Sequence, residues 1–422
     1  MPDRHYKVLA IASHPVQYMS PIFRRMAAIP ELDLKVAYCS LRGAEAGHDP
    51  EFGTTVQWDV PLLEGYSWVE LPNEGSGAES FFGLRNPSVA PLIRNGNFDA
   101  VLCFVGYVRS SFWSAYLAAR STKTAFLFGT DAHSLDPRNG GRWKKAAKRI
   151  CWPFLFRLAD QVIVPSTGTH QLIRALGIPE QRITLTPYSV DNTWWIEQSR
   201  LVNREAVRAA WRAKENDAVI LYCAKLQPWK RPGDLLRAFA KTQLVNALLV
   251  IAGVGPLQTE LVGQAQSLGI AERTRFLGFV NQSQLPAVYS SADLMVLPSE
   301  YEPFAVTVNE AMCCGCPVAA SNHVGAAQDL IVPVQSDFVF PCGDIDALAS
   351  LLLKAAGDRT RLAGLRATVL SHIQTWSPER NIEATMDAIR IAVDRKRHAP
   401  KQAVSDPSSI PPSSAMTAKS RE

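Results

Sequence analysis

The sequence predicts an α/β protein of two doubly wound domains facing each other across a cleft, and three observations carry that expectation. The chain has 422 residues, 47% of them hydrophobic, which is too long for one compact core and fits two globular domains. Short apolar, β-branched runs alternate with longer amphipathic stretches, the pattern of parallel strands joined by crossover helices. The rhythm then runs a second time after "LTPYSVDNTWW", a stretch with turn residues and no sustained period.

In the first half the strand candidates are "KVLAIAS", "LDLKVAYCS", "AVLCFVG", "KTAFLFGTD" and "QVIVPS"; in the second they are "AVILYCAKL", "ALLVIAG", "TRFLGFV", "DLMVLPS" and "PVAAS". The expected division is an N-terminal domain over 1–190, a C-terminal domain over 191–375, a terminal helix over 376–395 within "WSPERNIEATMDAIRIAVDR", and a disordered tail over 396–422. The tail turns to Pro, Ser and Lys with few large apolar residues. Two such domains place a ligand in the crevice between the carboxyl ends of their strands.

Composition narrows the function classes. There is no apolar run long enough to span a bilayer, and "MPDRHYKVLAIASHP" enters a strand directly without the pattern of a signal peptide. A cytoplasmic protein is expected. In that compartment the eight cysteines, mostly inside apolar runs, read as small hydrophobes and not as a disulfide framework. A net charge of +5 points to an anionic ligand or surface more than to nucleic acid.

The motif with the most chemistry is "SEYEPFAVTVNEAMCCGCPV", in which seven residues separate Glu302 from Glu310. "DLMVLPS" reads as a buried strand, "EYEP" as its exit loop and "FAVTVNEAMCC" as a helix that starts near Pro303 and stops at Gly315. Its N-terminus offers unpaired N–H groups to an anion. Eight helical residues advance ~12 Å, too far for a pair of glycosidase carboxylates, which sit ~5–9.5 Å apart. The two glutamates suit opposite ends of an elongated ligand; the plain alternative is that they complement the helix dipole. In "CAKLQPWKRPGDLLRAF", Lys225 ends a strand and Lys230 precedes a helix, so both ammonium groups can reach the cleft as a diphosphate clamp. Solvated surface lysines are the alternative. Gly253 and Gly255 in "LLVIAGVGPLQ" permit close backbone approach, but the third glycine of a dinucleotide fingerprint is missing.

"AKLQPWKRP", "IAGVGP", "RFLGFV", "SADLMVLPSEYEPFAVTVNEAM" and "GCPVAAS", in this order, resemble the nucleotide-sugar-binding half of the family-4 retaining glycosyltransferases of GT-B fold, with two Rossmann-like domains. The resemblance covers most of Val219 to Leu353, and "SHPVQYMSPIFR" resembles the opening of a subset of the family. It implies that Lys225 and Lys230 bind the donor diphosphate and Glu310 the ribose hydroxyls, while Glu302 with the N–H groups around Phe304, between Pro303 and Ala305, holds the sugar and phosphate. Gly253, Gly255 and Phe279 complete the implied donor site. His14, which follows the first strand, and Gln17 are candidates on the acceptor side; a turn residue is the equal alternative for His14. Many relatives carry a histidine where "AFLFGTDAHS" has Gly129. Asp131 and His133 follow on the same loop, Asp131 as the candidate to hold the sugar and His133 for the acceptor side. Alternatively, Asp131 caps a turn and His133 is solvated. The resemblance further implies that lysine and a helix N-terminus, not a metal, stabilise the leaving group, that no cofactor is needed, and that the last helix crosses back to the first domain.

Two metal-like patterns have simpler readings. Asp344 of "GDIDAL" sits where a helix N-cap belongs, and "CCGC" lacks a second ligand pair. The stretch from Pro137 to Ala159 holds seven basic residues and no acid, with Trp143, Ala147, Ile150, Phe154 and Leu158 at helical spacing. An anionic membrane surface and an ordinary packed helix with a solvated basic face are both consistent with it. The function expected is sugar transfer from a nucleotide donor to a glycan or lipid-linked acceptor with retention, in surface polysaccharide or glycoconjugate synthesis. The alternatives are a sugar-nucleotide epimerase of similar architecture and, disfavoured by the four charged residues, a glycan-binding protein with a relic site.

Overall fold

The computed structural model describes residues 5–49, 52–77, 80–136 and 141–398. The first sheet contains β1 (Tyr6–Ala12), β2 (Leu32–Tyr38), β5 (Ser67–Glu70), β6 (Ala100–Cys103), β7 (Ala125–Gly129), β8 (Gln161–Val164) and β9 (Ile183–Leu185) in the order β5-β2-β1-β6-β7-β8-β9. A separate antiparallel hairpin, β3 (Gly47–Asp49) with β4 (Thr54–Val56), leaves this domain between β2 and β5. The second sheet contains β10 (Ala218–Cys223), β11 (Ala247–Ala252), β12 (Thr274–Gly278), β13 (Leu294–Leu297), β14 (Val318–Ser321) and β15 (Val339–Phe340) in the order β12-β11-β10-β13-β14-β15. All pairings within the two large sheets are parallel. Helices cover both faces, so the central strands are buried throughout and read as continuous apolar runs: every residue of β6, β10, β11 and β13 is buried.

Strand order reverses between β1 and β6 in one sheet and between β10 and β13 in the other, and these are the switch points where an open α/β sheet binds ligand. The residues that follow them, His14 after β1, Lys225 after β10 and Glu302 after β13, therefore share one crevice.

The last helix, Pro378–His398, leaves the C-terminal domain and packs beneath β6 to β9. Ala388, Ile389, Ala392 and Val393 join the core of the N-terminal domain. Its polar edge pairs Arg390 with Glu31, Lys396 with Asp160 (3.1 Å) and Arg397 with Asp99 (2.7 Å). Because this helix runs to His398, residues 396–398 are helical; the remainder of the tail expected over 396–422 lies outside the described residues, as do residues 137–140 of the basic stretch. The helix expected from Phe304 begins two residues later, at Val306, because Ala305 takes a left-handed conformation (φ 81°) that no helix can include.

Candidate active site

A cavity of about 500 Å³ lies between the two domains, lined from both sides. On the C-terminal side the chain leaves β11 through Gly253, where a Cβ would lie 2.1 Å from the Ala224 carbonyl oxygen; any larger residue would displace the strand exit that carries Lys225. Lys230 ends a short 3-10 turn, Pro228–Lys230, and its ammonium pairs with the Glu302 carboxylate, both groups largely buried. Thus, before any donor arrives, the phosphate-clamp candidate already has a counter-charge within the site.

The loop bearing Glu302 is zipped to the segment after β14. Gly325 donates its N–H to the Glu302 carbonyl (2.9 Å) and Ala326 to that of Phe304 (2.8 Å). A Cβ on Gly325 would lie 1.9 Å from the Pro303 carbonyl oxygen. These contacts hold Ala305 in its left-handed state, a conformation that costs on the order of 1–3 kcal/mol for a non-glycine residue. The strain turns the start of the helix Val306–Cys313 into the cavity, where Val306 and Thr307 present the unpaired N–H end to an anion. Glu310, on the same helix, is 8% exposed and accepts a hydrogen bond from the Tyr289 hydroxyl at 2.8 Å. Burial pushes its carboxyl up to about 7, against the lowering effect of that hydrogen bond.

The N-terminal side contributes His14, Gln17, Tyr18 and Arg42. Burial, and then the positive charges of Arg42 and Lys225, push the His14 imidazole down to about 4 in spite of Asp49, so it is neutral at physiological pH. Ser13 Oγ lies 2.9 Å from its Nδ1. The β3–β4 hairpin reaches across the cleft: Lys225 Nζ stands 4.4 Å from the Phe52 ring centroid and 3.7 Å from Asp49. Phe52 meets Phe279 edge-on at 5.4 Å, and Trp58 packs on Phe279 at 5.8 Å. Just beyond, Asp59 accepts from the Ser283 N–H (3.0 Å) and from its hydroxyl, and Asn281 donates to the Gln57 carbonyl (2.9 Å). The hairpin is in effect a wall of the donor side supplied by the opposite domain.

Of the residues expected from the sequence, His14, Gln17, Lys225, Lys230, Gly253, Phe279, Glu302, Pro303, Ala305 and Glu310 line this one cavity. Phe304 and Gly255 do not. The Phe304 side chain is 2% exposed and packs between Tyr188 and Trp376, as part of the core. Gly255 instead lets the chain pass Leu226, whose carbonyl oxygen would be 2.6 Å from a Cβ. Asp131 and His133 stand at the cleft's edge: the His133 ring lies 5.5 Å from that of Tyr301, a lining residue, and Asp131 faces Tyr18 and Tyr188, whose phenols are raised first by burial and then by neighbours that include the Asp131 charge. Although Asp131 opens on the cleft, the protein packed around its carboxyl raises it. Burial, then His323 and Lys148, lowers the His133 imidazole. Asp344 caps the helix Ile345–Gly357 through the Ala347 N–H (2.9 Å), and Cys313, Cys314 and Cys316 are buried at a helix end. Among the described residues no group of three His, Cys, Asp or Glu side chains is placed to hold a metal ion.

Arg42, Asp49, Phe52, Trp58 and Tyr289 were not legible as site residues; the one hint was two aromatics in an otherwise polar, aperiodic segment.

Comparison with known proteins matches the same two halves. The family described as glycosyl transferase 4-like domain matches residues 26–189, and the family described as glycosyl transferases group 1 matches residues 203–367. A D-inositol 3-phosphate glycosyltransferase of Rhodococcus opacus is 28% identical over 269 residues, 61% of this chain and 59% of that protein. The chain spans about half the length of the curated relatives it matches. Among solved structures, Anabaena HepE in complex with UDP and glucose superposes with a TM-score of 0.68 at 19% identity, over 92% of this chain and 100% of that one. A glycosyltransferase from Rickettsia africae gives 0.68 at 16% identity, over 92% and 99%. The N-terminal domain thus matches the 4-like family and the C-terminal domain the group 1 family of glycosyl transferases, and the two Rossmann-like domains share the GT-B fold of these neighbours.

Proposed function

We propose that this protein moves a sugar from a nucleotide-sugar donor to a glycan or lipid-linked acceptor with retention of configuration and without a metal ion, in surface polysaccharide or glycoconjugate synthesis, in the cytoplasm at the inner face of a membrane. The observation that carries the reading is the convergence on one cavity of Lys225, Lys230, the N–H end of Val306–Cys313 and the buried Glu310. In it, the two ammonium groups and the helix end neutralise the charge that develops on the diphosphate as the bond from the sugar's anomeric carbon breaks. Glu310 accepts hydrogen bonds from the ribose hydroxyls. Glu302, released from Lys230 as the diphosphate takes its place, holds hydroxyls of the transferred sugar. The acceptor oxygen enters on the face that the diphosphate leaves, between His14 and Asp131, and gives its proton to the departing phosphate. UDP and UDP-glucose in the complexes of HepE support a uridine donor.

The test is calorimetric titration with a panel of nucleoside diphosphates and their sugars, followed by product analysis with the best donor. Saturable binding of one nucleotide, transfer that depends on an acceptor, and a product anomer matching the donor are expected. Donor conversion without any acceptor would favour an epimerase, an inverted anomer would overturn retention, and no nucleotide binding would overturn the whole reading.

A further inference from the structure

The helix Arg142–Arg157 follows β7 at the edge of the cleft and buries only part of its apolar surface. Trp152, Leu155 and Phe156 face the N-terminal core, with Trp152 donating its indole N–H to the Tyr107 hydroxyl at 2.8 Å. Trp143, Ile150 and Phe154 do the opposite: they are 69%, 66% and 67% exposed. Spacings of seven and four residues hold these three within an arc of about 40° on the helix, so they form one stripe. Arg142 and Arg149 flank it on one side and Lys144 on the other, with Arg157 at its end, and the helix contains no acid. On the far flank Lys145 meets Asp136 at 2.7 Å.

A second exposed apolar group stands on loops that pack against the inner face of the same helix. Phe81, Phe82 and Val108 stand 45%, 65% and 53% exposed. The Ser110 N–H fixes the Phe81 carbonyl (2.8 Å), and Tyr107, next to Val108, packs on Trp152 (6.3 Å). The second group therefore lies on the loops that follow β5 and β6, while the stripe runs along the helix between β7 and β8, with Trp143 at the end nearer the strand exits where His133 meets Tyr301.

The geometry points to a docking face for an anionic lipid bilayer, made by Trp143, Ile150 and Phe154 together with the basic flanks. An apolar stripe bordered on both sides by Lys and Arg matches the boundary between acyl chains and charged headgroups: the rings and Ile150 enter the apolar layer while the cations remain among the phosphates. Nucleic acid would meet the cations but have no use for an intervening Trp, Ile and Phe stripe. Docked in this way, the cleft opens at the membrane surface, which deepens the membrane-side placement proposed above and gives a lipid-linked acceptor the shortest path to His14 and Asp131.

The test is flotation of the full chain with vesicles of phosphatidylcholine alone or with phosphatidylglycerol added. Binding to the anionic vesicles only, falling with added salt, is expected. The triple variant W143S/I150S/F154S, which replaces side chains that are mostly exposed, should keep the wild-type melting temperature and lose vesicle binding at least tenfold. Arg142→Gln and Arg149→Gln should each weaken it by roughly fivefold. Equal binding to neutral vesicles, no binding to either kind, or full binding by the triple variant would overturn the proposal. So would a wild-type dimer that the triple variant converts to monomer while vesicles bind neither protein. Vesicle binding needs neither donor nor acceptor, so failure here leaves the nucleotide-sugar reading standing, and failure of nucleotide binding leaves this face standing.

Discussion

Replacing Glu310 with glutamine should make the protein more stable and less able to bind its donor, with the gain in stability depending on pH. Burial carries the Glu310 carboxyl from 4.5 to about 7, so the folded chain holds this proton more tightly than the unfolded chain does. Stability from this group is then lost as pH rises between about 4.5 and about 7, and the full cost stands above that window. At about 1.4 kcal/mol per pH unit the cost comes to about 3 kcal/mol. A neutral amide would mimic the protonated side chain and keep the Tyr289 hydrogen bond, so Glu310→Gln removes the cost. Urea unfolding of both proteins without ligand, at pH 5.5 and pH 8.5, should show the variant ahead by about 1 kcal/mol at the lower pH and about 3 kcal/mol at the higher. Other titrating groups act on both proteins alike and cancel in the comparison. At pH 8.5 the variant should also bind nucleoside diphosphate more weakly, because an anionic oxygen is the stronger acceptor for ribose hydroxyls. An equal stability gap at the two pH values, or a less stable variant at pH 8.5, would refute the argument that this carboxylate is kept charged in a site that disfavours charge.

Lys230→Ala should leave the fold intact, since the residue ends a short turn outside the hydrophobic core, and weaken nucleoside diphosphate binding by roughly 10-fold or more for the loss of a charge-assisted contact; an unchanged dissociation constant in calorimetry would remove Lys230 from the site. Asp131→Asn and His133→Ala should lower turnover while donor affinity stays near wild type, the pattern of groups engaged with the transition state, and full turnover in both would leave the N-terminal half of the reaction site unassigned. Phe52→Ala, which takes away a ring that stands against both Lys225 and Phe279, should raise the donor dissociation constant several-fold, roughly the value of one aromatic contact, with no change in acceptor KM; a shift in acceptor KM alone would place the hairpin on the other substrate.

The central strands were legible because burial on both faces demands uninterrupted apolar residues, which is how β1, β6, β10, β11 and β13 read. The edge strands were not. β5 exposes most of its residues, and β15 is two residues long, so neither has a pattern to detect. On the C-terminal side Lys225, Lys230, Gly253 and Glu302 lie just after β10, β11 and β13 and Glu310 on the helix that follows, where local sequence and tertiary position coincide. Arg42, Asp49, Phe52 and Trp58 gain their place only when Asp59 and Gln57 engage Ser283 and Asn281 more than two hundred residues away, and no local period encodes that. The basic helix shows a different limit. Its two apolar sets, Trp143 with Ile150 and Phe154, and Trp152 with Leu155 and Phe156, both have helical spacing, and only packing against Tyr107 decides which of them is inside.

The return of Pro378–His398 to the first domain has a consequence for how this chain is made. The N-terminal sheet is complete once β9 has emerged, yet its underside stays open until Ala388, Ile389, Ala392 and Val393 arrive at the other end of the sequence. A ribosome must therefore release nearly the entire polypeptide before the first domain can finish folding, and the second must take shape while the first waits. The connection is doubled as well: the chain passes between domains before Asn192 and again before Pro378, and Asn192 bonds the Ile373 carbonyl across the two passes (3.0 Å). With the two passes fastened side by side, the strain of any opening of the cleft falls on both at once.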